Sequence, residues 1–206
     1  MLDWYAMAIL EFEHTWMSFV DGENLTIRAQ DLAESRRVEL REGPYYRRNT
    51  FIWIPGWHAQ ARRPTGYPLI QQWAVRAHYY ASFVGDDKTE DQIRDDLRTL
   101  HFSPQIFKKT RQDQKAKGVD IALTKDMLGH AFLGNYDTAV LIAGDGDYVP
   151  LVEEVKRRGR RVVVWFFRDH GLSPELLRVA DDFRDVSDLF LDAWRDRAET
   201  PVTSLT

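Results

Sequence analysis

The chain has 206 residues, 44% hydrophobic and 13% aromatic, with a formal net charge of −4 and no cysteine. That length suits one well-buried core and is short for two full domains. Without cysteine there are no disulfides, thiolate zinc sites or cysteine nucleophiles, so any metal must be held by oxygen or imidazole. No apolar run nears the roughly 20 residues that span a bilayer, and Asp3, Glu11 and Glu13 stand where a signal peptide carries basic residues. The expectation is a soluble, cytoplasmic protein with no membrane partner.

Residues 16–20 read as a first strand ending at Asp21, followed by a helix from about Asn24 to Ser35 with Leu25, Ala29, Leu32 and Ala33 on one face. The stretch 42–72 breaks the pattern, being too long for an ordinary connection. It interleaves Tyr45, Tyr46, Phe51, Trp53 and Trp57 with Arg47, Arg48, Arg62 and Arg63. Such a mixture can stack bases and neutralise phosphates of a single-stranded nucleic acid; the plainer reading is a hairpin or flap whose aromatics simply pack.

Residues 73–83 alternate cleanly and read as a second strand. Thr89 to Gln92 reads as a capping box opening a helix, before a short strand near 105–109. Residues 118–132 read as a helix and Thr138 to Ala143 as a fourth strand. Asp147 is expected to cap a helix from Tyr148 to Arg158 that ends at Gly159. A fully apolar fifth strand follows at 161–167, then a helix opened by Ser173 and Pro174. Strands alternating with helices imply an α/β fold with a mostly parallel sheet of about five strands, whose carboxyl ends share one edge.

Asp21 and Asp145 fall at that edge, Asp147 two residues further on, and Asp120 at the start of a helix. Each acid alone is open to a turn or helix-cap reading. Held together, four carboxylates repel and raise each other's pKa unless a cation neutralises them. Oxygen ligands suit Mg2+ or Mn2+, which activates water and stabilises a leaving oxygen. Asn24 and Thr124, about one helical turn beyond Asp21 and Asp120, are candidates to bind a water or phosphate oxygen. Glu23 and Asp126 read as solvated, and the histidines show no paired ligand spacing. Lys108, Lys109, Arg111, Lys115 and Lys117 crowd into ten residues before Asp120. Such a stripe suits a phosphodiester held against metals, or is only a solvated loop.

Phe19-Val20-Asp21-Gly22-Glu23-Asn24-Leu25, Lys117-Gly118-Val119-Asp120, Ala143-Gly144-Asp145-Gly146-Asp147-Tyr148-Val149-Pro150-Leu151 and Gly159-Arg160-Arg161-Val162 together resemble the NYN family of PIN-like nucleases, in order, from about Trp16 to Phe190. The resemblance implies a three-layer PIN-like fold and a metal-dependent endoribonuclease acting on single-stranded or structured RNA with Mg2+ or Mn2+. It also implies that Asp21, Asp120 and Asp145 are the metal-binding acids, with Asp147 the fourth. The expected layout is a leader at 1–15, one domain at 16–198 carrying the insert at 42–72, and a tail at 199–206. RNA is the expected partner, and a homodimer is one assembly this allows. Two other readings stand beside it: a non-catalytic RNA-binding or regulatory module, and, ranked last, a haloacid-dehalogenase-type phosphatase. The phosphatase needs a second Asp two residues after the first, where this chain has Glu23.

Overall fold

The computed structural model describes residues 14–57, 72–111 and 118–199. Along the chain run β1 (His14–Asp21), α1 (Gly22–Ser35), β2 (Tyr46–Arg47), β3 (Phe51–Ile52), β4 (Gln72–Phe83), α2 (Asp87–Thr99) and β5 (Ser103–Lys108). They are followed by α3 (Val119–Phe132), β6 (Thr138–Ile142), a 3-10 turn (Gly146–Tyr148), α4 (Val149–Arg157), β7 (Arg161–Phe166), α5 (Pro174–Val179), β8 (Asp182–Asp185) and α6 (Ser187–Glu199). Six strands form one sheet in the order β5-β4-β1-β6-β7-β8, every neighbouring pair parallel.

Parallel strands need crossovers, and the helices that make them cover both faces of the sheet. Central β6 is therefore apolar throughout and buried at all of its positions. On one face, α1 and the β2–β3 hairpin pack over β4. There the Tyr79 hydroxyl donates to the Ile52 carbonyl at 3.0 Å and accepts from the Ile52 N–H at 3.1 Å. On the other face, α3 covers Phe19, His78 and Tyr80, contacting them through His130 and Asp126.

From β1 the chain winds outward to β4 and β5, then returns to β6 on the opposite side of β1 and winds outward to β7 and β8. The reversal falls between β1 and β6. An open α/β sheet has its natural binding crevice at this point, outside the carboxyl ends of the strands. Gly22 and Gly144 permit close packing there. A Cβ on Gly22 would stand 2.7 Å from the Tyr80 carbonyl and collide with the Tyr79 ring, and one on Gly144 would collide with Phe166 and the Gly171 carbonyl.

Several expectations need correction. The sheet has six strands, because β8, a four-residue edge strand reading Asp-Phe-Arg-Asp, has the charge of a protected edge and no apolar alternation to announce it. β7 opens on the exposed, charged Arg161, and its apolar run Val162 to Phe166 alternates between buried and half-buried positions. α2 starts before Thr89: its cap is Asp86, whose carboxylate accepts from the Thr89 N–H at 2.9 Å. The Gly146–Tyr148 turn is capped by Asp145, not Asp147, since a 3-10 segment precedes α4 and moves the cap back.

Candidate active site

Asp21 ends β1 and caps α1. Its Oδ1 accepts from the Asn24 N–H at 2.9 Å, so the cap role expected of a lone Asp is present. Its Oδ2 does something a cap does not require: it accepts from the Tyr148 hydroxyl at 2.8 Å. That same hydroxyl oxygen lies 3.2 Å from Asp120 Oδ1. Asp120 sits in the first turn of α3, where the helix dipole favours an anion, while Gly118 occupies the cap position without a side-chain bond. One phenol thus stands between two carboxylates from different crossovers.

Burial is the largest force on Asp21. At 4% exposure its carboxyl is pushed up to about 6, with the charges of Asp120 and Glu23 adding to the rise and the Asn24 and Tyr148 hydrogen bonds opposing it. Tyr148 is itself raised, first by burial and then by the two carboxylates.

Asp145 is half-buried, three residues beyond β6, and its Oδ1 accepts from the Asp147 N–H at 3.1 Å. Asp147 is exposed. Both lie at the same edge as Asp21, but their hydrogen bonds do not reach Asp21 or Asp120. Among the described residues, no group of three or more His, Cys, Asp or Glu side chains is set to hold a metal ion. The donors that do converge are hard oxygens, the ligand type that Mg2+ and Mn2+ take, and Asp21 is raised first by its burial and to a lesser degree by Asp120.

Asn24 is a clasp. Its Oδ1 accepts from the Gly144 N–H at 2.9 Å, and the Gly144 carbonyl accepts from the Ser173 N–H at 2.8 Å, so the amide ties the start of α1 to the loop leaving β6. Thr124 is half-buried one turn after Asp120.

Glu23 and Asp126 depart from the expectation of solvated side chains. Glu23 accepts from Ser82 Oγ at 3.1 Å and from Lys109 Nζ at 3.0 Å, and Asp126 accepts from the Tyr80 hydroxyl at 3.0 Å and from Gln105. Lys109 differs too: its side chain is 4% exposed and committed to Glu23, not displayed to a phosphate. Lys108 is exposed and pairs with Asp87 at 3.1 Å, and Arg111 and Arg48 are exposed. Arg47 lies 3.4 Å from Gln92 and 3.8 Å from Asp96. Lys115, Lys117, Arg62 and Arg63 lie outside the described residues.

A six-stranded parallel sheet flanked by helices is consistent with a PIN-like fold. The sequence profile of the NYN domain matches residues 16–189, so the chain belongs to the NYN family of PIN-like ribonucleases. The crystal structure of a protein of unknown function from Vibrio parahaemolyticus is similar in fold. It is 24% identical, with a TM-score of 0.59 over 87% of this chain and 96% of that chain. No curated protein matches the chain.

Proposed function

We propose that the chain is a metal-dependent endoribonuclease whose Asp21 and Asp120 hold Mg2+ or Mn2+, with Asp145 aimed at the same crevice and Asp147 at its rim. The observation that carries this reading is the buried Asp21 carboxyl, joined to Asp120 through a single hydroxyl at the carboxyl end of β1. Membership of a ribonuclease family supports RNA as the substrate.

A divalent cation bound there lowers the pKa of water and stabilises charge on a leaving phosphate-ester oxygen. The chain's own groups supply the placement. Asn24 fixes the separation of the β1 and β6 ends, so Asp145 keeps its position relative to Asp21. The 3-10 turn is capped by Asp145 and carries Tyr148, whose hydroxyl reaches Asp21. Exposed Lys108 and Arg111, together with Lys115 and Lys117 in the run before Asp120, favour the approach of a polyanion. No described helix is long and apolar enough to cross a membrane, and the lack of cysteine accords with action in a reducing cytoplasm.

The test is incubation of single-stranded and hairpin RNA with the protein and Mn2+, beside Asp120→Asn. Internal cleavage by the wild type that the variant loses is expected. Cleavage no greater than that of the variant overturns the nuclease reading, and RNA binding without cleavage then points to a regulatory module.

A further inference from the structure

We propose that Tyr148 is a positioning residue of the metal site: its hydroxyl spaces and orients the Asp21 and Asp120 carboxylates so that both present oxygens to one cation. This rests on the reading of Asp21 and Asp120 as the cation-binding pair. Tyr148 is 2% exposed, so its hydroxyl has little access to water. The oxygen sits 2.8 Å from Asp21 Oδ2 and 3.2 Å from Asp120 Oδ1, and the sum of those distances limits how far apart the two acid oxygens can stand.

Both oxygens of Asp21 are thereby occupied by donors, Oδ1 by the Asn24 N–H and Oδ2 by the phenol. A carboxylate held at both ends cannot rotate, and each oxygen keeps a lone pair for a cation. A phenol has one hydrogen, so it can donate to only one carboxylate at a time. Asp21 Oδ2 stands at the shorter distance and Asp120 Oδ1 at the longer, so the hydroxyl can serve either acid while holding both within its reach.

Tyr148 also reaches the third acid through the backbone. Its N–H donates to the Asp145 carbonyl at 3.3 Å within the 3-10 turn. Any shift of the turn carrying Asp145 is therefore transmitted to the hydroxyl between Asp21 and Asp120. Groups that orient metal ligands by hydrogen bonding are worth about 10- to 100-fold in metal affinity.

The test is calorimetric titration of the RNA-free protein with Mn2+ alone. Tyr148→Phe keeps the ring and loses the hydroxyl, and a 10- to 100-fold weaker Kd is expected. A role confined to packing would alter the melting temperature and leave the Kd where it was. A Kd within twofold of wild type, or a tighter one, overturns the inference. Where the Phe variant is too unstable to titrate, 4-methylphenylalanine at 148 fills the hydroxyl's space without a donor and gives the same reading. 4-Aminophenylalanine keeps a donor and is expected to restore wild-type affinity. Asp21→Asn and Asp120→Asn serve as controls. If both weaken Mn2+ binding and the residue 148 variants do not, the inference alone falls. If neither weakens it, the pair is not the metal site and both readings fall.

Discussion

The acid edge and the aromatic insert both stand out in the sequence as candidates for contact with RNA, and the fold uses them in opposite ways. At the edge, burial concentrates polar groups: Asp21 is closed off from water, pushed up to about 6, and set beside a second carboxylate. In the described part of the insert, burial absorbs the aromatics into the core. Trp53 meets Phe102 edge-on at 4.8 Å, Tyr46 meets Trp194 at 6.1 Å and Trp57 meets Trp165 at 5.4 Å. The small pocket beside Trp53, Trp57 and Trp165 is lined throughout by hydrophobic residues, among them Leu25, Ile142 and Phe190. The aromatics are satisfied by their neighbours, whereas Asp21 stays raised by burial even with a hydrogen bond to each of its oxygens. The contrast teaches that residue type alone does not mark a site; what marks it is a polar group whose surroundings leave it poorly neutralised.

The sharpest way to break the comparison is to remove one region's chemistry at a time. Asp145→Asn is expected to cut RNA cleavage by about 10³-fold, the effect of several kcal/mol of transition-state stabilisation, with the fold intact by circular dichroism. Asp147→Asn, at an exposed position, is expected to lose far less. Equal losses would make the two acids equivalent and undo the distinction between them.

Trp53→Ala should do the reverse. Loss of a buried indole costs about 3–5 kcal/mol of stability, read by urea denaturation. Per folded molecule, RNA affinity by filter binding should stay unchanged. A weaker RNA affinity at full folding would return the insert to the RNA interface.

A third measurement compares pH dependence. The folded-state pKa of Asp21 is raised, so its contribution is present at low pH and is lost as pH rises from about 4 through about 6. The size is about 3 kcal/mol. His78, held down to about 4 chiefly by burial and then by His130, works in the opposite sense: stability is lost as pH falls from 6.5 toward 4. The reading is therefore the difference between wild type and Asp21→Asn without metal, where the variant should gain relative stability between pH 4 and pH 7. No relative gain would mean that Asp21 is not under strain. The smallest effect belongs to Arg47→Ala, a half-exposed pair with Asp96 at 3.8 Å, expected within about 0.5 kcal/mol by thermal melting.

The frame was readable because its signals are local. Alternation marked β4, continuous apolarity marked β6, and the face of Leu25, Ala29, Leu32 and Ala33 marked α1. What escaped depended on distant partners. Tyr148 lay inside a motif already singled out, yet its role comes from acids 127 and 28 residues away. Lys109 looked like one more cation in a basic run because its partner, Glu23, is 86 residues distant. Asn24 read as a ligand for water or phosphate, since nothing local shows that Gly144 would come within 2.9 Å. The cap went to Asp145 because a single 3-10 turn, invisible to helical periodicity, precedes α4.

The central claim is that Asp21 and Asp120 are one cation site at the β1–β6 switch point. Anomalous diffraction from crystals soaked in Mn2+ tests it most directly. The account expects a peak within coordination distance of an oxygen from each of these two acids, beside the Tyr148 hydroxyl and on the side open to Asp145. A peak elsewhere on the surface, with Asp21 and Asp120 still bridged only by Tyr148, would contradict it.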